Sequence, residues 1–113
     1  MRSWTIRFRA VDKERFEEVR SGRKTVETRA ATVKYQPMTE GDTITFVCGK
    51  ERFTKSIKKK SHFKSPNALF KKFPLKNVMP DLKTVVDAEK QYTSYPGYAE
   101  KIKEFGLFAF ELE

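Results

Sequence analysis

Residues Trp4 to Ala10 alternate between apolar and polar side chains, with Trp4, Ile6, Phe8 and Ala10 on one face and Thr5, Arg7 and Arg9 on the other. That period of two predicts a half-buried strand. Asp12 suits the N-cap of a following helix, and Val11 and Phe16 are spaced as a hydrophobic staple. The helix is expected to run to about Ser21, where Gly22 supplies a left-handed stop. Its polar face carries Lys13, Glu14, Glu17, Glu18 and Arg20, so only a narrow stripe through Phe16 and Val19 is expected to be buried.

A second strand is expected over Lys24–Arg29, then a loop from Ala30 to Asp42 with Pro37 and a Gly41-Asp42 turn. Thr43 to Cys48 alternates again, with Ile44 and Phe46 inward. Gly49-Lys50 predicts a hairpin turn into Arg52–Lys60, where Phe53 and Ile57 share a face with Lys55 and Lys59. Ser65-Pro66 is an N-cap followed by proline at the first helical position. The short helix it opens reaches Phe73 and buries Leu69, Phe70 and Phe73 before Pro74 stops it. Another helix is expected from about Pro80-Asp81, burying Leu82, Val85, Val86 and Ala88 or Tyr92. Tyr95-Pro96-Gly97-Tyr98 reads as a rigid aromatic turn, and Ala99–Phe105 as one more helical turn ended by Gly106. A last strand, Leu107–Leu112, places Phe108, Phe110 and Leu112 on one face. This order predicts an α+β fold: a small five-stranded mixed barrel, partly closed, with mostly hairpin-like connections and helices packed at its ends.

Composition narrows the class. At 113 residues the chain is one small domain, and fifteen aromatic residues, ten of them Phe, can fill its core from few positions. The single Cys48 excludes an intramolecular disulfide, and the N-terminus does not resemble a signal peptide, so a cytoplasmic location is expected. No apolar run approaches the ~20 residues of a membrane span, and no membrane association is expected.

Charge changes the picture more. The formal net charge is +9, and the segment from Lys50 to Lys76 holds ten basic residues against the single acid Glu51. The rest of the chain is balanced. A clustered basic surface attracts polyanions by counterion release, which makes Lys55, Lys58, Lys59, Lys60 and Lys64 candidates for contact with a nucleic-acid backbone. A solvated lysine-rich face kept for solubility is the plainer alternative, and edge lysines also discourage strand-to-strand aggregation.

The candidate chemistry sits in Gly22-Arg23-Lys24-Thr25-Val26-Glu27-Thr28-Arg29. Strand alternation puts Thr25, Glu27 and Arg29 on one side and Lys24, Val26 and Thr28 on the other. A short strand carrying an ammonium, a carboxylate and a guanidinium around one bulky apolar residue suggests a site, although an exposed ion pair worth about 0–1 kcal/mol is the simpler reading. In a pocket, Lys24 and Arg29 can hold a phosphate or a base carbonyl. Glu27 can accept from an exocyclic amine, or act as a general base if its pKa is raised. Tyr35, Tyr95 and Tyr98 can stack on a nucleobase, Tyr95 being held by Pro96. One Cys and one His exclude a soft-ligand metal site, and no cofactor is implied. His62 reads as a structural or surface histidine. No Ser-His-Asp, Cys-His or Gly-rich phosphate motif is present.

These same eight residues match the G-x-K-x-x-E-x-R signature of ASCH domains, small barrels related to the PUA RNA-binding fold. The resemblance extends to the helix end Val19-Arg20-Ser21-Gly22, to Gly41-Asp42 before an apolar strand, to the Tyr95-Pro96 turn and to the closing segment Phe105–Leu112. It implies a pseudo-barrel with a cleft beside the signature strand, and RNA or a nucleotide as partner. The ligand-binding set it suggests is Lys24, Thr25, Glu27, Arg29 and Tyr95. One branch of the family hydrolyses the acetyl amide of N4-acetylcytidine with a lysine and a threonine of this motif and a glutamate from elsewhere. Lys24 matches that lysine, but the threonine position is Glu27 here, so that mechanism does not carry over intact. Other members are thought to cut RNA. The resemblance therefore leaves a hydrolase, with Lys24 and Glu27 as its catalytic pair, as the alternative to a binding domain.

Overall fold

The alternating segments form β1 (Ser3–Phe8), β2 (Val26–Ala30), β3 (Thr43–Cys48), β4 (Glu51–Phe63) and β5 (Leu107–Leu112) in a computed structural model that describes residues 1–113. Between them lie α1 (Lys13–Ser21), α2 (Pro66–Lys72), α3 (Leu75–Val78), α4 (Val85–Ser94) and α5 (Tyr98–Phe105). Gly22 ends α1 in the left-handed conformation, as its position suggested. Ser65 caps α2 by accepting from the backbone N–H of Ala68 at 3.2 Å.

One sheet holds all five strands in the order β1-β3-β4-β5-β2. β1 and β3 are parallel and every other pair is antiparallel, so the sheet is mixed as expected. The hairpin-like connectivity is not what forms. Only β3 and β4 are joined by a tight turn; β4 and β5 are neighbours separated by four helices, and β2 crosses to the far edge. The sheet curls into a half-barrel whose edge strands β1 and β2 face each other across an open seam.

Two cores stabilise the curl. Inside it, Phe16 and Val19 of α1 pack on Ile6, Ile44, Phe46 and Phe110. On the opposite face of the β4–β5–β2 end, Val26, Ala30, Leu107 and Ala109 pack under Leu69, Tyr92 and Ile102 of the later helices. No helix of the chain is long and apolar enough to cross a membrane.

The outer face of β1, β3 and the first half of β4 carries no helix. The register sets Ser3, Thr43 and Ser56 in one rung and Thr5, Thr45 and Thr54 in the next. A third rung is Arg7, Val47 and Arg52. Hydroxyls pair across strands, Ser3 with Thr43 at 2.9 Å and Thr45 with Thr54 at 3.0 Å.

Several local expectations give way to tertiary contacts. Val11 is exposed and makes no staple, and the Asp12 carboxylate accepts from Arg9 Nε at 2.8 Å instead of capping α1. Glu18, expected on the polar face of α1, is buried. The helix placed near Pro80-Asp81 begins at Val85, because the Thr84 hydroxyl supplies the cap by accepting from Asp87 N–H at 3.1 Å. Val86 is accordingly turned to solvent. In β4 the register shifts between Ile57 and Lys59. This bulge reverses the alternation, so Lys60, not Lys59, returns to the side of Phe53 and Ile57.

Candidate ligand cleft

β2 has the third residue of its signature, Glu27, at the centre of the site. Its carboxylate is buried, and Oε1 accepts from Thr28 N–H at 3.0 Å and faces Lys24 Nζ at 3.1 Å. Arg29 Nη2 lies 3.8 Å from the other oxygen, Oε2. That is ion-pair distance, not a hydrogen bond, and Oε2 and Arg29 Nε are both buried without a hydrogen-bond partner.

Strand alternation alone would send Lys24 away from Glu27. The chain achieves the contact because residues 22–25 are not yet strand. Gly22 turns the backbone with φ 85°, Lys24 N–H donates to Glu18 O at 2.9 Å, and Thr25 N–H donates to Asn77 O at 2.9 Å. The segment is thus tied to the end of α1 and to α3, and Lys24 swings under Glu27. Thr25 is turned outward and lies outside the cleft. Thr28 lines it instead, its hydroxyl 2.6 Å from that of Tyr92.

The cleft occupies the seam between β1 and β2 and has a volume of about 290 Å³. Arg29 forms part of its floor, with the guanidinium carbon 5.5 Å from the centre of the Phe8 ring, a cation–π arrangement. Tyr92, Tyr95, Pro96 and Tyr98 build one wall with Met79. Tyr95 and Tyr98 meet edge to face at 5.4 Å, and Gln91 Nε2 donates to the Tyr95 hydroxyl at 3.1 Å. The opposite wall and mouth come from the end of β1 and the start of α1 through Arg7, Arg9, Asp12 and Arg15. Arg9 is paired with Asp12, and Arg15 is held by Asp81 and lies 3.6 Å from Glu18. Arg7 has no carboxylate partner.

Lys24, Glu27, Arg29 and Tyr95 are therefore gathered in one cavity, whereas Thr25 and Tyr35 are not. Arg7, Arg9, Arg15, Met79 and Tyr92 escaped the sequence reading. For Arg7 and Arg9 a signal existed, since both stand on the polar side of the first strand. For Tyr92 there was none, because a buried tyrosine on a helix face looks like packing.

The basic segment is less free than its composition suggests. Lys58, Lys59 and Lys64 are exposed and Lys55 is half-buried. Lys60 is engaged within the fold: its Nζ donates to Gln36 O at 2.6 Å and sits 4.2 Å from the centre of the Phe108 ring. Burial pushes its ammonium below the usual lysine range. Glu40 accepts from Lys60 N–H at 2.9 Å, and Glu111 stands opposite Lys59 in the ladder. His62 is structural, donating from Nε2 to Phe105 O at 2.8 Å.

Electrostatics fix the protonation of the cleft. Burial works to raise the Glu27 carboxyl, but the charges of Lys24 and Arg29, with hydrogen bonds from Lys24 and Thr28 N–H, hold it below the usual carboxylate range. Glu27 is a fixed anion, not a base poised near neutrality. Burial raises Tyr92 and Tyr98, so both hydroxyls stay protonated, in Tyr98 against the opposing charge of Arg29.

Below the mouth, burial lifts Glu18 to about 7 despite Arg15, with nearby Asp81 adding to the rise. The folded state then binds a proton that the unfolded chain releases near 4.5, so this group makes stability fall as pH rises from about 4.5 to 7. Glu18→Gln is expected to raise the melting temperature at pH 8 and leave it unchanged at pH 4. A variant with an undiminished pH slope over that interval would assign the effect to other groups.

No family model matches the chain, and no curated protein matches it at a significant level. Solved structures do, two of them as follows. The crystal structure of the hypothetical protein PH0355 superposes with a TM-score of 0.85 at 26% identity, covering 98% of this chain and 97% of its own. The solution structure of protein PF0455 from Pyrococcus furiosus gives 0.76 at 25% identity, covering 100% and 96%. The chain is thus similar to both over its whole length, and the likeness establishes the half-barrel fold.

Proposed function

We propose that this chain is an ASCH-type domain whose cleft binds a nucleotide of RNA, with the base against Glu27 and the phosphate towards the mouth at Arg7. The observation that carries the reading is Oε2 of Glu27, a buried, ionised carboxylate lining the cleft, which accepts no hydrogen bond and has only Arg29 Nη2 beside it at 3.8 Å. Such an atom calls for a ligand donor, such as an exocyclic amine or a ring N–H, since an unmet buried acceptor costs about 1–3 kcal/mol. A phosphate is repelled there, and the unpaired Arg7 gives it a place at the entrance. Tyr95 and Tyr98 offer aromatic surface for stacking. About 290 Å³ lies just under the ~300–1,000 Å³ of ligand sites, which suits one nucleoside and not a duplex. The resemblance of the signature strand favours RNA among nucleotide cargoes. Exposed Lys58, Lys59 and Lys64 add sequence-independent attraction.

Hydrolysis has less support. The cleft's threonine, Thr28, has its hydroxyl bonded to Tyr92, and Glu27 is too acidic for a general base at neutral pH. Incubation with N4-acetylcytidine and with RNA oligomers tests that alternative directly.

Calorimetric titration with the four ribonucleoside monophosphates and short single-stranded RNA tests the binding reading. Glu27→Gln keeps the shape but removes the charge, and is expected to weaken binding by about 1.5–3 kcal/mol, tenfold or more. Wild-type protein that binds none of these ligands ends the proposal.

A further inference from the structure

The cleft holds one nucleotide, and an RNA strand must leave it over some part of the surface. Resting on the cleft reading above, we infer that the strand runs from Arg7 over the uncovered face of β1, β3 and the first half of β4, with its phosphates against the hydroxyl rungs and Arg52. Arg7 belongs to both places: it lines the cleft mouth and opens the rung Arg7–Val47–Arg52. Arg52, like Arg7, is exposed and has no carboxylate partner, because neighbouring Glu51 is taken by Lys13 and Arg20. The face therefore begins with two free guanidiniums where the cavity ends.

The next rung, Thr5–Thr45–Thr54, is neutral and rich in hydroxyls. In the Thr45–Thr54 pair one proton is used between the two oxygens and the second is left to donate outward. Hydroxyls and arginines are the groups that position phosphates, and they carry no sequence preference. The apolar residue of the Arg7–Val47–Arg52 rung, Val47, is buried, and no aromatic side chain belongs to any rung. This face thus lacks the apolar centre a protein partner would bury and the rings a base would stack on. Successive rungs recur about every 7 Å along the strands, giving a repeated set of donors. Glu113, bonded through its backbone to Ser56, is an acid beside the rung farthest from the cleft, which marks the end of the track.

The test compares mononucleotides with short single-stranded RNA homopolymers, using wild type and Arg52→Gln/Thr45→Val/Thr54→Val. None of these three side chains lines the cleft. The expected result is unchanged affinity for the ribonucleoside monophosphates, weaker binding of the oligomers, and a log K versus log salt slope reduced by about 0.7 for the lost Arg52 contact. Arg52→Glu alone should give the same split. Oligomer affinity and salt slope that match wild type would overturn the track while leaving the cleft reading intact. A fall in mononucleotide affinity equal to that for oligomers would also overturn it. Wild-type protein that binds neither class would remove both proposals.

Discussion

Lys24→Ala is expected to lower the unfolding free energy by about 3–5 kcal/mol, because it leaves a buried carboxylate without its nearest cation. Glu27 is 2% exposed, and Lys24 lies 3.1 Å from its Oε1. Arg29 cannot compensate from 3.8 Å and the other side, where it makes no hydrogen bond. Urea denaturation reads the loss as a shift in midpoint at constant slope. The double variant Lys24→Met/Glu27→Gln separates the causes. If the penalty is the orphaned charge, the double variant is more stable than Lys24→Met alone. If the two changes simply add, the ion pair is not what holds the segment, and the lysine acts only through its packing.

Gly106→Ala is expected to be the other severe change. Gly106 has φ 80° and ψ −159°, a region open in practice only to glycine. A Cβ there would overlap the Phe63 carbonyl oxygen and come within 2.7 Å of His62 Nε2. Neither neighbour can retreat, since Phe63 is in the β4–β5 ladder and His62 is bonded to Phe105 O. Strain and overpacking together predict a loss of about 2–6 kcal/mol. Gly97→Ala is the control. Gly97 has φ 73° and ψ 0°, and its nearest neighbour would be Lys101 Cε at 3.9 Å. That position carries only the left-handed penalty of about 1–2 kcal/mol. Equal melting temperatures for the two variants would refute the steric argument.

Much of the fold could be read from the chain because local rules and packing agree there. β1 alternates throughout and β3 as far as Phe46, β5 is a short apolar run after a glycine stop, and the stops at Gly22 and Gly106 and the cap at Ser65 rest on backbone chemistry. What was not legible depended on partners distant in sequence. Thr84 outcompetes Asp81 as a cap because Asp81 is taken by Arg15 of α1. The parallel pairing of β1 with β3 leaves no trace in either segment. The bulge after Ile57 moves Lys60 from the supposed backbone-binding row onto Phe108, and no composition count could reveal it. At the site, the residue types of the signature pointed to the cleft, but period-two reasoning set Lys24 and Glu27 on opposite sides. Alternation applies only from Val26, because the turn after Gly22 persists to Thr25.

The pairing of β2 has a consequence for how the protein comes to be made. Its ladder partner is β5, so the strand carrying Glu27 and Arg29 has no sheet neighbour until residues 107–112 have been synthesised. A nascent chain can assemble the local β3–β4 hairpin early, yet the cleft stays unbuilt until the non-local β2–β5 pairing forms. The walls of the cleft thus come together only once residues 107–112 are available, together with closure of the sheet.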